Sequence, residues 1–197
     1  MLVKTDFSTR DVTARSPLAI LRQRAAHKGN RLAYTFLLDG ETEEANLTYA
    51  ELDRRAQIIG TSLRSRGAGG KRALLLYPPG LEYVAALFGC FYAGAVAVPV
   101  LPPGFKGKTH HIQMVAADSE ASIVLTTEAL LSKADAVWES APELKSLRWI
   151  ATDNIDLSYG DHLREPNINR DTLAFLQYTS GSTGSPASPA ASATAAR

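Results

Sequence analysis

Residues 72–100 carry two short apolar runs separated by one helix-length segment, and that spacing leaves the chain few ways to fold. Arg72-Ala-Leu-Leu-Leu-Tyr77 is continuously apolar after its first residue, the pattern of a strand covered on both faces. Pro78-Pro79-Gly80 ends the run, residues 81–93 read as a helix, and Ala95-Val-Ala-Val98 reads as a second buried strand. Strand, helix and strand at this distance form a βαβ unit, which requires parallel strands and a right-handed crossover. The chain is therefore expected to be an α/β protein, with a mostly parallel sheet and helices on both faces. No residue from Tyr83 to Phe105 is charged, a length that could cross a bilayer. Gly89, Gly94, Pro99, Pro102 and Pro103 interrupt it, so a helix, a turn and a strand are expected there and no membrane span.

The flanking segments extend the same pattern. Ser16-Pro17 opens a helix with a capping hydroxyl and a proline in the first turn. Leu18, Leu21 and Ala25 share one face of it, and Lys28-Gly29 reads as a basic last turn followed by a glycine cap. Residues 31–38 and 43–47 read as a hairpin turning at Asp39-Gly40. Thr48 and Glu51 have the spacing of a capping box. Leu52, Ala56, Ile59 and Leu63 then form a core stripe that Gly67-Ala-Gly-Gly70 stops. Arg54, Arg55, Arg64 and Arg66 fit the exposed side of that helix and need no partner. Further on, the spacing predicts a helix over 107–118, a strand over 122–126, a helix over 127–139 and a strand over 147–150. A polar loop over 151–170 leads to a buried strand over 173–178. No internal repeat is present.

Composition narrows the function classes. A length of 197 residues suits one domain or an incomplete larger one, and 45% hydrophobic residues is ordinary for a folded chain. With 21 basic residues against 20 acidic ones, well mixed, there is no basic stripe and no nucleic-acid partner is expected. The single cysteine, Cys90, lies in an apolar segment and reads as a core thiol in a reducing compartment. The first ten residues have no apolar h-region, so a cytoplasmic location is expected. His110 and His111 are adjacent and point apart, so they do not make a metal site. Asp153, Asp156 and Asp161 read as solvated turn residues.

The segment over 173–178 runs directly into Thr179-Ser-Gly-Ser-Thr-Gly184. Glycines there permit close approach of the backbone, successive N–H groups can converge on an anion, and the hydroxyls add donors. The spacing is not that of a Walker A loop, because Gly181 and Gly184 are too close and no lysine follows. A flexible Ser/Gly linker has the same composition, but the strand immediately ahead favours a phosphate-binding loop.

Phe175-Leu-Gln-Tyr-Thr-Ser-Gly-Ser-Thr-Gly-Ser-Pro186 resembles the phosphate-binding signature of the adenylate-forming enzymes: acyl-CoA synthetases, nonribosomal peptide adenylation domains and luciferases. Leu47-Thr-Tyr-Ala-Glu-Leu52 resembles the start of an early helix in that family. Leu74-Leu-Leu-Tyr-Pro-Pro-Gly80 and the run from Gly89 to Pro99 are most similar to its fatty acyl-AMP ligase branch, whose members pass acyl groups to carrier proteins. The resemblance covers residues 16–186, after an N-terminal segment 1–15, and implies an incomplete N-terminal portion of that fold. It assigns polyphosphate binding to Thr179, Ser180, Gly181, Ser182, Thr183 and Gly184, and no catalytic residue or metal ligand in this chain. It implies ATP and Mg as cofactors of the intact family member, with a carboxylic (fatty) acid and an acyl carrier protein as partners.

After Pro186 the family pattern continues Lys-Gly, whereas this chain has Ala187-Ser188 and an Ala/Ser/Pro-rich stretch over 187–197. That stretch is expected to be an aberrant, low-complexity tail. The adenine pocket, the ribose-binding Asp, the Mg-binding Glu and the C-terminal catalytic Lys of the family are expected to be missing. The chain is therefore expected to be a truncated acyl-AMP ligase without adenylation activity. The alternatives are a non-catalytic nucleotide- or partner-binding remnant, or a product that folds poorly because strand edges stay unpaired.

Overall fold

A computed structural model describes residues 16–103, 108–156 and 172–178, with the backbone alone of residues 194–196. Helix α1 (Pro17–Lys28) starts where Ser16 accepts a hydrogen bond from the Ala19 N–H at 3.2 Å, and it buries Leu18 and Leu21. Strands β1 (Leu32–Leu37) and β2 (Glu44–Thr48) form a separate antiparallel pair. Its turn is longer than Asp39-Gly40 alone. The Asp39 carboxylate accepts from the backbone N–H groups of Glu41, Thr42 and Glu43, each at 2.9 Å, and these bonds hold its pKa far below the usual carboxylate value.

Helix α2 (Tyr49–Ser65) carries the expected capping box, with Thr48 and Glu51 each satisfying the other's backbone N–H. Leu52, Ala56, Ile59 and Leu63 are all buried along it. Then come β3 (Arg72–Leu76), α3 (Leu81–Ala93), β4 (Val96–Val100), α4 (Thr109–Asp118) and β5 (Ile123–Thr126). Two short helices, α5 (Glu128–Leu131) and α6 (Ala134–Ser140), and a 3-10 turn (Pro142–Ser146) lead to β6 (Arg148–Ala151). Last are β7 (Phe175–Gln177) and β8 (Thr194–Ala196).

The main sheet has the order β6-β5-β3-β4-β7-β8. The five strands from β6 to β7 run parallel, and β8 pairs antiparallel with β7. The period-2 geometry of a strand sends successive side chains to opposite faces, and both faces are apolar here. Ala73, Leu75, Ala97, Ile123 and Leu125 pack with Ile59, Leu63, Ala85, Ala86 and Cys90 of α2 and α3. Leu74, Leu76, Val98, Val100 and Val124 pack on the other face with Ile112, Val115 and Ala116 of α4 and with Leu144. The expected α/β class is thus the observed one.

Helices α2 and α3 cross closely enough that side chains must be missing from the contact. A Cβ on Gly89 would lie 2.5 Å from Ile59 Cγ2, and one on Gly60 would overlap Tyr92. Across the same pair Tyr92 donates to Asp53 at 2.5 Å and Arg55 donates to Glu82 at 2.8 Å.

Several expectations are corrected. Gly29 does end α1, but at φ −51° it is not in the left-handed region. Its Cβ would lie 3.2 Å from Ala50 Cβ, so glycine admits the start of α2. The helix expected over 127–139 is instead two, broken between Leu131 and Ala134: Lys133 is outside helical geometry at φ −109° and ψ 9°, and the second helix buries Ala134 while the first has no fully buried residue. Arg55 is paired with Glu82, and Arg66 bonds the Ser62 carbonyl at 3.0 Å, so the helix arginines are not all idle. The strand expected to be buried over 173–178 is only partly so: Phe175 and Leu176 are half-buried and Gln177 is exposed. No strand was expected in the tail, yet Thr194–Ala196 pairs with Phe175–Gln177 through backbone hydrogen bonds, which demand no large side chain.

Gly89→Ala should destabilise the chain by about 2 kcal/mol, the usual scale of core overpacking, because the contacting atoms are a β-branched side chain that cannot swing aside. Urea unfolding followed by circular dichroism measures this, and an unchanged midpoint would show that α2 and α3 can separate without cost.

Candidate functional site

In a parallel sheet every strand ends on the same edge, and ligands of open α/β folds sit at that carboxyl edge. Here β3 leaves it through Tyr77-Pro78-Pro79-Gly80, β4 through Leu101-Pro102, β5 through Thr126-Thr127 and β6 through Thr152-Asp153. Strand β7 stands beside β4, with the Ala97 N–H donating to the Ala174 carbonyl at 3.1 Å. The residues expected to hold phosphate follow it in the chain. Thr179, Ser180, Gly181, Ser182, Thr183 and Gly184, together with Ala187, lie outside the described residues.

The described part of the edge is held by a buried hydroxyl relay across three adjacent strands. Tyr77 Oη and Thr152 Oγ1 are 2.7 Å apart, Thr152 Oγ1 donates to the Thr126 carbonyl at 3.4 Å, and Thr126 Oγ1 donates to the Leu76 carbonyl at 2.8 Å. Tyr77, Thr126 and Thr152 are all buried. A buried polar group left unpaired costs more than a paired one returns, so the relay fixes the relative heights of β3, β5 and β6. Nothing in the sequence pattern singled out these hydroxyls. The available signal was a polar residue closing each apolar run: Tyr77, Thr126 and Thr152.

Next to the relay, Thr127 caps α5 and Asp153 accepts from the Glu128 N–H at 2.8 Å, so Asp153 is a structural turn residue. Asp161 lies outside the described residues. His110 and His111 are exposed on α4, and among the described residues no group of three His, Cys, Asp or Glu side chains could hold a metal ion. Cys90 is fully buried and burial pushes its thiol up to about 12, which makes it inert as a nucleophile. Among the described residues no helix is long and apolar enough to cross a membrane.

Beside β7, Leu176 and Tyr178 pack on the face occupied by α4, and the Tyr178 hydroxyl donates to Asp118 Oδ2 at 2.6 Å. Burial first, then Asp118, pushes that phenol up to about 12.

Comparison with known proteins extends this picture. Residues 21–188 match the family described as AMP-binding enzyme. A medium-chain-fatty-acid–[acyl-carrier-protein] ligase from Moorena producens is 42% identical over 168 residues, which are 83% of this chain and 28% of that protein. A 4-hydroxyphenylalkanoate adenylyltransferase from Mycobacterium tuberculosis is 35% identical over 189 residues, 89% of this chain and 30% of that protein. Among solved structures, a fatty acyl-adenylate ligase from L. pneumophila in complex with acyl adenylate and pyrophosphate superposes with a TM-score of 0.72 at 35% identity. That match covers 84% of this chain and 28% of the other. The chain thus spans less than a third of the length of these relatives.

Two measurements test the relay and the buried acids. Tyr77→Phe should lower stability by about 1 kcal/mol, because the Thr152 hydroxyl keeps only its longer bond. Stability should also fall as pH rises from 9.0 towards 12, since burial raises the Cys90 thiol over that interval. Tyr77 and Tyr92 are raised as well, above 10.0. Over that window the unfolded chain gives up these protons first and is favoured. A denaturation midpoint that holds constant from neutral into strongly alkaline solution would contradict both the burial and the direction.

Proposed function

The chain belongs to the AMP-binding enzyme family, and on that premise we propose that it is the front portion of a fatty acyl-AMP ligase. In the whole enzyme a fatty or related carboxylate would attack the α-phosphorus of ATP, giving an acyl-adenylate and pyrophosphate. The observation that carries the reading is the 35%-identical solved ligase holding acyl adenylate and pyrophosphate, which 84% of this chain matches.

Catalysis of that transfer is mostly positioning and charge stabilisation. The proposed division of labour puts Thr179, Ser180, Gly181, Ser182, Thr183 and Gly184 on the β- and γ-phosphates, through backbone N–H groups and hydroxyls. The donor set is chemically suited to a polyphosphate, being uncharged, small and hydroxyl-rich, directly after a strand of a parallel sheet. A bound Mg ion would neutralise phosphate charge, and no described residue is assigned to hold it. An acyl carrier protein is the acceptor this reading proposes for the acyl group, by analogy with the medium-chain-fatty-acid–[acyl-carrier-protein] ligase of Moorena producens. The reading also takes residues 16–186 as the partial AMP-binding domain.

A second reading rests on one residue. Ala187 stands where the resembling family has a lysine, so a charge-assisted donor to phosphate is missing. This favours a nucleotide-binding remnant that does not adenylate.

Isothermal calorimetry with Mg-pyrophosphate and an ATP–pyrophosphate exchange assay test both readings on the 197-residue chain. The expected outcome is weak pyrophosphate binding without carboxylate-dependent exchange. Ala187→Lys should tighten binding by one to two decades, from roughly 1.5–3 kcal/mol for a hydrogen bond to a charged group. Failure of the unaltered chain and of Ala187→Lys alike to bind pyrophosphate would remove the phosphate-loop assignment, and carboxylate-dependent exchange would refute the inactivity.

A further inference from the structure

We propose that Asp118 is a positioning residue for the end of β7, holding Tyr178, the residue directly before Thr179, through their hydrogen bond. This rests on the phosphate-loop reading above. Tyr178 is attached at two points. Its ring belongs to the apolar cluster of Leu74, Leu76, Val98, Val100 and Ile112, and its hydroxyl donates to Asp118 Oδ2 at 2.6 Å. Tyr178 lies one residue beyond β7, past the pairing of Phe175–Gln177 with its neighbours, so these two attachments are what the structure shows holding it.

Asp118 is well placed to supply one. It is the last residue of α4, the helix that returns the chain from β4 to β5. The corner after it is closed by several hydrogen bonds. The Ser119 N–H and Oγ both donate to the Val115 carbonyl, at 2.9 and 2.6 Å, and the Ala121 N–H donates to the Ala116 carbonyl at 3.0 Å. Ser119 is buried, and Glu120 takes a left-handed φ of 52°. A neutral O–H donor to a carboxylate is shorter and stronger than a neutral pair. The charged groups facing the Tyr178 hydroxyl are Asp118, which raises its pKa, and Arg72, which lowers it. Arg72 lies 3.7 Å from the Glu120 carboxylate. Asp118 thus ties the exit of β7 to the hydrogen-bonded corner between α4 and β5.

The test uses the 197-residue chain, Asp118→Asn, Tyr178→Phe and the double variant. Carbon-13-labelled tyrosine, with Tyr178 assigned from Tyr178→Phe, reads the phenol titration. Calorimetry with Mg-pyrophosphate reads the consequence. In Asp118→Asn the Tyr178 midpoint should fall from about 12 towards the ordinary 10.0. Each single variant should bind pyrophosphate about threefold more weakly, and the double variant no more weakly than either single one, because both remove the same interaction. The melting temperature reports any general loss of structure separately.

An unshifted midpoint overturns the pairing, and unchanged affinity in both single variants overturns the positioning role. Additive losses in the double variant overturn the coupling. No pyrophosphate binding by the unaltered chain removes the phosphate-loop reading and this role together, and the wild-type arm distinguishes that case from the others.

Discussion

Two-sided burial of a parallel sheet is the constraint on which the rest of the molecule depends. Alternate residues of β3, β4 and β5 enter two different apolar layers, one against α2 and α3 and one against α4. Neither layer is complete without the crossover helices, because a strand with apolar side chains on both faces is unstable in water until both are covered. The same constraint collects the carboxyl ends of five strands on one edge. Burying the sheet twice and presenting one common edge are consequences of a single topology.

Polar groups refine what the apolar layers leave adjustable. Hydrophobic burial is non-directional, whereas a hydroxyl that reaches a carbonyl at 2.8 Å has a preferred direction as well as a distance. The relay of Tyr77, Thr152 and Thr126 sets the level of three strands. Asp53 with Tyr92 and Arg55 with Glu82 do the corresponding work between α2 and α3, whose close crossing depends on Gly60 and Gly89.

Much of the fold could be read from local pattern. The capping box at Thr48 and Glu51, the stripe from Leu52 to Leu63, and the βαβ unit from Arg72 onward all appear where their spacing puts them. These features depend on neighbours in sequence, and their physics is local. The failures share the opposite character. Gly29 caps α1 as expected, but without a left-handed φ and with its close contact to Ala50 of α2 unforeseen, and the helix expected over 127–139 is two helices, of which the second buries Ala134. The candidate site divides in the same way. The glycine-and-hydroxyl stretch over 179–184 is visible as composition after a strand, while the partnership of Tyr178 with Asp118 joins residues far apart in the chain and has no periodic trace.

By itself the sequence determined the class of architecture, the order of its main elements and the family, because apolar periodicity, caps and a short specific motif are all written in contiguous residues. Only the tertiary structure decided the strand order β6-β5-β3-β4-β7-β8, the half-buried state of β7 and the hydroxyls that set strand level. Those depend on which faces meet across the sheet, and a contact between distant residues leaves no mark in the spacing of either one.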